Sequence, residues 1–189
     1  ENDVVLCAPA QPHPRARISR GSPTGDNLYT NSTIALDPLT GEMQWYHQYA
    51  PGETFDLDES FEHVLIEDRY FKIGKPGFLW QMSREDGTFI DGEFLVLNTV
   101  MDLNEATGQI VMKPEVVPTQ YDVIVNVCPS TAGGKDWHPM AFNPDTRLIY
   151  VPLSQTCMDY RALEVQKIVG LQGGGNGDSR TFAPMPGAN

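Results

Sequence analysis

The segment that best predicts the fold is Ala35-Leu-Asp-Pro-Leu-Thr-Gly-Glu-Met-Gln-Trp45. It has the form A-x-D-x-x-T-G-x-x-x-W, in which one strand leads through a tight turn into a second strand that ends in tryptophan. Asp37 and Thr40 can cap the turn, and Gly41 can adopt the positive φ that such a turn needs. Trp45 can pack against a neighbouring sheet. The segment therefore predicts a β-hairpin that docks on the next sheet.

Three degenerate copies of this turn follow, without the tryptophan. They are Met82-Ser-Arg-Glu-Asp-Gly-Thr88, Leu103-Asn-Glu-Ala-Thr-Gly-Gln109 and Ala141-Phe-Asn-Pro-Asp-Thr-Arg147. Units of this kind cannot bury their faces alone, so radial stacking as propeller blades is the economical arrangement. At roughly 40–50 residues per blade, the chain supplies about four blades of a larger ring.

The rest of the sequence favours an all-β, turn-rich chain, because its 17 glycines and 15 prolines are scattered between short β-type segments. The segments predicted as strands are Asp3–Cys7, Leu28–Leu36, Phe61–Glu67, Phe78–Met82, Phe94–Val100, Tyr121–Val127 and Leu148–Leu153. One helical turn is expected around Asp159–Val165. Residues 1–169 are predicted to form the partial propeller, and residues 170–189 a Gly/Pro-rich loop or tail.

The net charge of −12 makes nucleic acid and anionic membranes unfavourable partners. No apolar segment reaches the roughly 18–20 residues that a membrane helix needs. The sequence does not open with a signal peptide, so the signal of an exported protein would have been removed or would lie outside these residues.

Four segments together resemble the alcohol dehydrogenases that use pyrroloquinoline quinone (PQQ), the quinoprotein methanol and ethanol dehydrogenase family. They are Gly25–Trp45, Gly74-Lys-Pro-Gly-Phe-Leu-Trp80, Cys128-Pro-Ser-Thr-Ala-Gly-Gly-Lys-Asp-Trp137 and Tyr150-Val-Pro-Leu-Ser-Gln-Thr-Cys-Met-Asp-Tyr160. The resemblance implies an eight-bladed β-propeller with tryptophan docking motifs, of which this chain is a fragment. It also implies PQQ- and metal-dependent oxidation of a small alcohol to an aldehyde, with electrons passed to a periplasmic acceptor such as cytochrome c.

The resemblance aligns Asp56 with the family's catalytic aspartate, which binds the metal and takes the alcohol proton. A carboxylate suits this role because alcohols are poor acids and hydride loss is helped by removal of the hydroxyl proton. Asp58 completes an Asp-x-Asp pattern that resembles lanthanide-using members, whereas Ca²⁺ needs fewer negative oxygen ligands. Gln11 falls where many members have a metal-binding asparagine. The alternatives are that Asp56 and Asp58 cap a surface turn and that Gln11 is an ordinary loop residue.

Lys75 aligns with the basic residue that contacts the quinone oxygens, where a cation stabilises negative charge. Asp136 and Trp137 fall where the family contacts the other edge of the cofactor, usually as Asn-Trp. The alternative for Lys75 is a solvated lysine in a turn. The alternative for Asp136 is a contact with Lys75 or a structural role.

Cys128 and Cys157 match a disulfide of the family, which implies an oxidising compartment and therefore the periplasm. The leftover Cys7 is expected to be a buried free thiol.

Several parts of the family's cofactor site have no counterpart in this sequence, among them a glutamate metal ligand and the tryptophan that stacks under the quinone. The fragment alone is therefore expected to be inactive. The alternative function is a non-catalytic PQQ-like propeller that acts as a scaffold or binding module. A third alternative is a larger enzyme with internal segments missing, which a shortening between Glu67 and Tyr70 suggests. The sequence does not determine the oligomeric state, and a homo-oligomer is one of the alternatives.

Overall fold

The structure is a computed structural model that describes residues 3–21, 24–165 and 177–187. Within these ranges the regular secondary structure is almost entirely short strands joined by turns and loops, with a single helical turn, α1 (Arg17–Arg20), and a 3-10 turn at Pro114–Val116. The strands are β1 Val5–Cys7, β2 Ser32–Leu36, β3 Met43–Gln48, β4 Val64–Ile66, β5 Arg69–Ile73, β6 Phe78–Ser83, β7 Phe89–Phe94, β8 Met101–Asn104, β9 Gln109–Met112, β10 Ile124–Val127, β11 Ala141–Asn143, β12 Leu148–Tyr150, β13 Thr156–Ala162 and β14 Asp178–Pro184. The described helices are all too short to span a membrane.

The strands form antiparallel sheets in the orders β1-β2-β3, β4-β5-β6-β7, β8-β9, β10-β13-β14 and β11-β12. The sheet β4-β5-β6-β7 has the four sequential strands of a complete propeller blade. Its first two strands are joined by a tight turn at Glu67, whose φ is 55°. This turn is the short connection that the sequence shows between Glu67 and Tyr70.

The predicted hairpin forms as β2 and β3, and its tryptophan docks on the next sheet. The Asp37 Oδ1 atom accepts hydrogen bonds from the backbone N–H groups of Leu39 and Thr40, both at 2.8 Å. The ring of Trp45 stacks on Tyr70 with 6.4 Å between centroids and 8° between planes. A Cβ atom at Gly87 would lie 2.6 Å from the Trp45 ring, so glycine is needed at this contact. The tryptophan docking motif is therefore confirmed.

The second copy of the turn makes an equivalent contact without a tryptophan. A Cβ atom at Gly108 would lie 2.2 Å from the Phe89 ring, so Phe89 packs on this glycine much as Trp45 packs on Gly87. The Nε1 atom of Trp80 donates to the carbonyl oxygen of Gly108 at 2.7 Å. This copy thus keeps an aromatic-on-glycine contact after the tryptophan of the motif is lost.

Side chains from four of the sheets form one hydrophobic core. Its largest fully buried members are aromatic, and Tyr49 lies 4.6 Å from Trp80 between ring centroids. The other buried members are Ala16, Ala50, Phe55, Leu57, Tyr70, Phe78, Met82, Val100, Met101, Ile110, Val127, Met158, Tyr160 and Ala162.

Three local predictions were wrong. The strand predicted at Phe94–Val100 does not form, because β7 ends at Phe94 and the residues after it are not in a strand. Strand β13 replaces the helical turn expected around Asp159–Val165, because Met158, Tyr160 and Ala162 bury every second side chain. Strand β14 replaces part of the loop predicted for residues 170–189, because it pairs along its whole length with β13. Residues 170–176 and 188–189 of that predicted loop lie outside the described residues.

The disulfide implied by the resemblance is confirmed. Cys128 and Cys157 are bonded, with 4.4 Å between their Cα atoms. The bond links the loop that follows β10 to strand β13. Further along the same loop, the backbone of Gly134 contacts the backbone of Lys75. Cys7 is a free, half-buried thiol.

Candidate functional site

The loop between β3 and β4 carries five acidic residues, of which Glu53, Asp56 and Glu59 are buried and Asp58 and Glu62 are partly buried. Contacts from distant segments hold its backbone: Tyr160 donates its hydroxyl hydrogen to the carbonyl oxygen of Thr54 at 3.0 Å. The side chain of Asn31 donates to the carbonyl oxygen of Leu57 and accepts from the N–H of Glu59, both at 3.1 Å. These contacts turn the acidic side chains inward instead of toward solvent.

Asp56 lies at the centre of this loop and is 4% exposed. Its Oδ1 atom lies 2.6 Å from Nε of Arg15, and its Oδ2 atom lies 2.9 Å from Nη1 of Arg180. The Nζ atom of Lys75 lies 3.8 Å from Oδ2. Burial raises the pKa of Asp56 above its ordinary value, while the positive charges of Lys75, Arg180 and Arg15 act in the opposite direction.

Asp58 lies beside Asp56 and pairs with the same lysine. Its Oδ2 atom is 2.5 Å from Nζ of Lys75, and its Oδ1 atom accepts the backbone N–H of Gln11 at 3.1 Å. The side-chain amide of Gln11 donates to the carbonyl oxygen of Leu57 at 3.3 Å. The structure therefore brings together the four residues Gln11, Asp56, Asp58 and Lys75.

The loop that carries Asp136 and Trp137 reaches Lys75 through its backbone. The N–H of Gly134 donates to the carbonyl oxygen of Lys75 at 2.8 Å. The indole of Trp137 is 79% exposed and packs edge-on against Phe61 at 5.6 Å between centroids. The Oδ1 atom of Asp136 is buried without a hydrogen-bond partner, and no ion pair among the described residues joins it to Lys75.

The sequence reading missed Arg15 and Arg180, which contact Asp56 directly. Arg15 follows a proline-rich segment, and Arg180 lies on β14, in the segment that was predicted to be a loop. The Nη2 atom of Arg180 also lies 2.5 Å from Asp178 on the same strand. Neither arginine belongs to a motif, so only the folded chain reveals their position.

Further buried charges lie next to the site. Burial raises the pKa of Glu53 to about 7, and its carboxylate accepts the N–H of Asp56 at 3.0 Å. Burial also raises the pKa of Glu59 to about 8 and lowers that of Lys72 to about 8. The positive charges of Lys72 and Lys135 oppose the shift of Glu59. Both Glu59 oxygens are buried without a hydrogen-bond partner.

Oxygen ligands of the kind that Ca²⁺ and lanthanide ions prefer are present at Gln11, Asp56 and Asp58. All four carboxylate oxygens already have a protein partner, however, and three cationic side chains surround two carboxylates. Among the residues that the structure describes, no group of three or more His, Cys, Asp or Glu side chains is arranged to hold a metal ion. The residues as they are arranged do not fit a metal ion.

The positive and negative side chains at this place are nearly balanced. Arg15, Lys75 and Arg180 lie against Asp56 and Asp58, and Asp178 contacts Arg180 as a third carboxylate. The Nε atom of Arg15 lies 2.6 Å from Oδ1 of Asp56 without hydrogen-bond alignment, and the buried Nε atom of Arg180 has no hydrogen-bond partner.

A cavity of about 360 Å³ lies elsewhere, on the sheet β4-β5-β6-β7. It is lined by Phe71, Leu79, Gln81, Asp91, Gly92 and Glu93. Phe71, Gln81 and Asp91 are register partners, and they project from the face opposite to Tyr70, Lys72 and Trp80. This cavity is therefore separate from the predicted site.

Comparison with known proteins identifies relatives for most of the chain. No family model matches. The chain is 30% identical over 170 residues to the quinohemoprotein alcohol dehydrogenase ADH IIB of Pseudomonas putida, a match of 85% of this chain and 24% of that protein. It is 29% identical over 156 residues to the lanthanide-dependent methanol dehydrogenase of Methylacidiphilum fumariolicum (strain SolV), a match of 77% of this chain and 25% of that protein.

Comparison with solved structures identifies relatives of the same kind. The structure superposes on a europium-containing methanol dehydrogenase with a TM-score of 0.86 and 25% identity, covering 97% of this chain and 33% of that one. The chain thus spans about a quarter to a third of the length of the proteins it matches. The predicted fold class, a fragment of a quinoprotein β-propeller, is confirmed.

Proposed function

Because this chain is a relative of the PQQ-dependent alcohol and methanol dehydrogenases, we propose that the whole protein oxidises an alcohol to an aldehyde with PQQ. The observation that supports this most directly is the buried pair of Asp56 and Lys75, whose charged atoms are 3.8 Å apart. A base and a cation at this separation can act on the two ends of a hydride transfer, one on the alcohol and one on the acceptor.

Asp56 is the proposed base. An ionised carboxylate offers about four lone-pair positions, and the hydrogen bond from Arg180 and the ion pair with Arg15 engage two of them. The remaining positions can accept the hydroxyl proton of an alcohol. The guanidinium charges favour the ionised carboxylate that a base requires, against the effect of burial.

PQQ, when bound, supplies the quinone that accepts the hydride. Lys75 is the proposed cofactor contact, because its ammonium group can stabilise negative charge on a nearby oxygen. Trp137 offers an exposed indole against which a planar ring can pack. Asp136 is proposed to meet the same edge of the cofactor, where its unpartnered Oδ1 can accept a hydrogen bond.

A Ca²⁺ or lanthanide ion is the remaining expectation from the family. It was predicted at Gln11, Asp56 and Asp58, where the present arrangement of charges does not fit a cation. No step of the proposed reaction passes through a metal ion.

The proposed location is the periplasm, and the proposed electron acceptor is a c-type cytochrome. The Cys128–Cys157 disulfide supports an oxidising compartment. For residues 1–189 in isolation we expect neither tight PQQ binding nor turnover, because they span at most about a third of the matched proteins.

A non-catalytic propeller scaffold is the second candidate, and one observation favours it. Asp56 is paired with two arginines from distant segments, which is also what a purely structural ion pair would look like.

The test is dye-linked alcohol oxidation by the whole purified protein after incubation with PQQ. We expect Asp56→Asn to lower kcat by about 10²–10⁴-fold, the usual contribution of a general base. The matched control is Asp68→Asn, which alters a carboxylate that is 82% exposed and should leave kcat unchanged. An undiminished kcat in Asp56→Asn would remove Asp56 from the mechanism. Absence of any PQQ-dependent oxidation across short alcohols would favour the scaffold.

A further inference from the structure

We infer that Arg15 and Arg180 occupy the cation position at Asp56, so that this carboxylate is neutralised by two guanidinium groups and does not bind a calcium or lanthanide ion. We call these two side chains the arginine clamp. The inference goes beyond the proposed reaction and stands without it, because metal binding can be measured apart from turnover.

The geometry of the clamp is specific. Arg15 approaches Oδ1 and Arg180 approaches Oδ2, so each carboxylate oxygen has its own guanidinium group, at 2.6 and 2.9 Å. The Asp56 side chain is 6% exposed and those of Arg15 and Arg180 are 17% and 15% exposed. Asp178 holds the other side of Arg180 at 2.5 Å, which limits the freedom of that guanidinium group to swing away.

The charge balance explains why a metal ion would be excluded. Two guanidinium groups carry the same charge as one Ca²⁺ ion, and arginine stays protonated in a buried environment. The neighbouring carboxylate of Asp58 is already paired with Lys75 at 2.5 Å. An added cation would face three positive side chains in a largely buried site, where repulsion is only weakly screened.

The position of the clamp in the chain also indicates a structural role. Arg15 precedes α1 and Arg180 lies on β14, whereas Asp56 lies in the loop between β3 and β4. One carboxylate therefore joins three segments that are far apart in sequence. A metal ion bound by Asp56 would have to replace the contacts of this carboxylate with both arginines.

The experiment measures metal content directly. The whole protein is equilibrated with La³⁺ or Ca²⁺ by dialysis, and bound metal is determined by elemental analysis for the unmodified protein and for Asp56→Asn. The inference expects the two to bind the same amount. One equivalent of metal bound by the unmodified protein and lost in Asp56→Asn would overturn it.

A second pair of variants tests the clamp itself. Arg15→Gln combined with Arg180→Gln should raise the affinity for La³⁺ by at least about tenfold, because two buried positive charges are removed. Adding Asp56→Asn to this double variant should abolish the gain. The matched control is Arg147→Gln combined with Arg161→Gln, whose side chains are 70% and 43% exposed and should leave the affinity unchanged. A double variant without a gain overturns the inference.

One readout needs no variant, in case the double variant fails to fold. The Tm of the unmodified protein is followed as La³⁺ is added. The inference expects no rise that saturates at one equivalent, and such a saturating rise would overturn it.

Discussion

The docking hairpin β2–β3 and the loop that carries Asp56 differ in how far along the chain their contacts reach. In the hairpin, Asp37 accepts from residues two and three positions ahead. In the loop, Asp56 pairs with Arg180 at a sequence separation of 124, and Thr54 accepts from Tyr160 at a separation of 106. The hairpin is therefore a local motif that can be recognised by pattern, whereas the loop depends on the assembled fold.

The largest effect is expected from removing the long-range ion pairs of Asp56. Asp56→Asn leaves the largely buried Arg15 without a charged partner and removes one of the two carboxylates that contact Arg180, which should lower the free energy of unfolding by about 3–5 kcal/mol. Chemical denaturation checks the value, with Asp68→Asn as the exposed control expected within about 0.5 kcal/mol of the unmodified protein. A cost as small for Asp56→Asn as for the control would mean that the clamp contributes nothing to stability.

The stability of the fold as a function of pH tests the burial of Glu53, which lies in the same loop as Asp56. The folded pKa of Glu53 is about 7 because burial raises it from 4.5. As the pH rises from about 4.5 to about 7, the unfolded chain loses a proton that the folded chain retains, so this group makes the fold less stable. Relative to Glu53→Gln, the unmodified protein should lose about 3 kcal/mol across this window.

The measurement for Glu53 is the difference in unfolding free energy between the two proteins at each pH. Glu67→Gln is the control, because the Glu67 side chain is 68% exposed and should give a pH-independent difference. A flat difference for Glu53→Gln would show that this carboxylate is not held in a buried environment.

Two glycines of the repeated turn test how the docking hairpin is stabilised. Gly41 and Gly87 have φ values of 74° and 70°, but a Cβ atom would meet open space at Gly41 and the Trp45 ring at Gly87. We expect Gly41→Ala to cost about 1–2 kcal/mol from backbone conformation alone. Gly87→Ala should cost about 1–3 kcal/mol more, because the docked tryptophan must move. Thermal or chemical unfolding measures both, and equal costs would contradict the docking contact.

The smallest effect is expected from a purely local contact. The Oδ1 atom of Asn104 accepts the N–H of Ala106 at 3.1 Å on the surface of the third turn. Asn104→Ala should lower the free energy of unfolding by about 0.5–1 kcal/mol, the usual net value of one hydrogen bond. A loss as large as that of Asp56→Asn would show that this turn supports more than its own geometry.

Much of the site was predicted by resemblance, but its charge balance was not. Gln11, Asp56, Asp58 and Lys75 could be selected because each lies in a segment similar to the family. Arg15 and Arg180 carry no such signal, and Arg180 lies on a strand that the glycine- and proline-rich composition of its segment concealed. The metal site was predicted from the resemblance at Gln11, Asp56 and Asp58, without the cations that contact the two carboxylates.

The sequence alone was sufficient for the all-β class, the docking turn and the partner cysteines, because alternation, turn residues and family motifs depend on neighbouring positions. Only the folded chain showed that β13 and β14 pair, that two arginines meet Asp56, and that Glu53 is buried. The contacts of Arg180 with Asp56 and of Tyr160 with Thr54 join segments more than a hundred residues apart, and the others also join residues outside any one local motif. The energies of burial and ion pairing depend on that three-dimensional proximity, which no local pattern encodes.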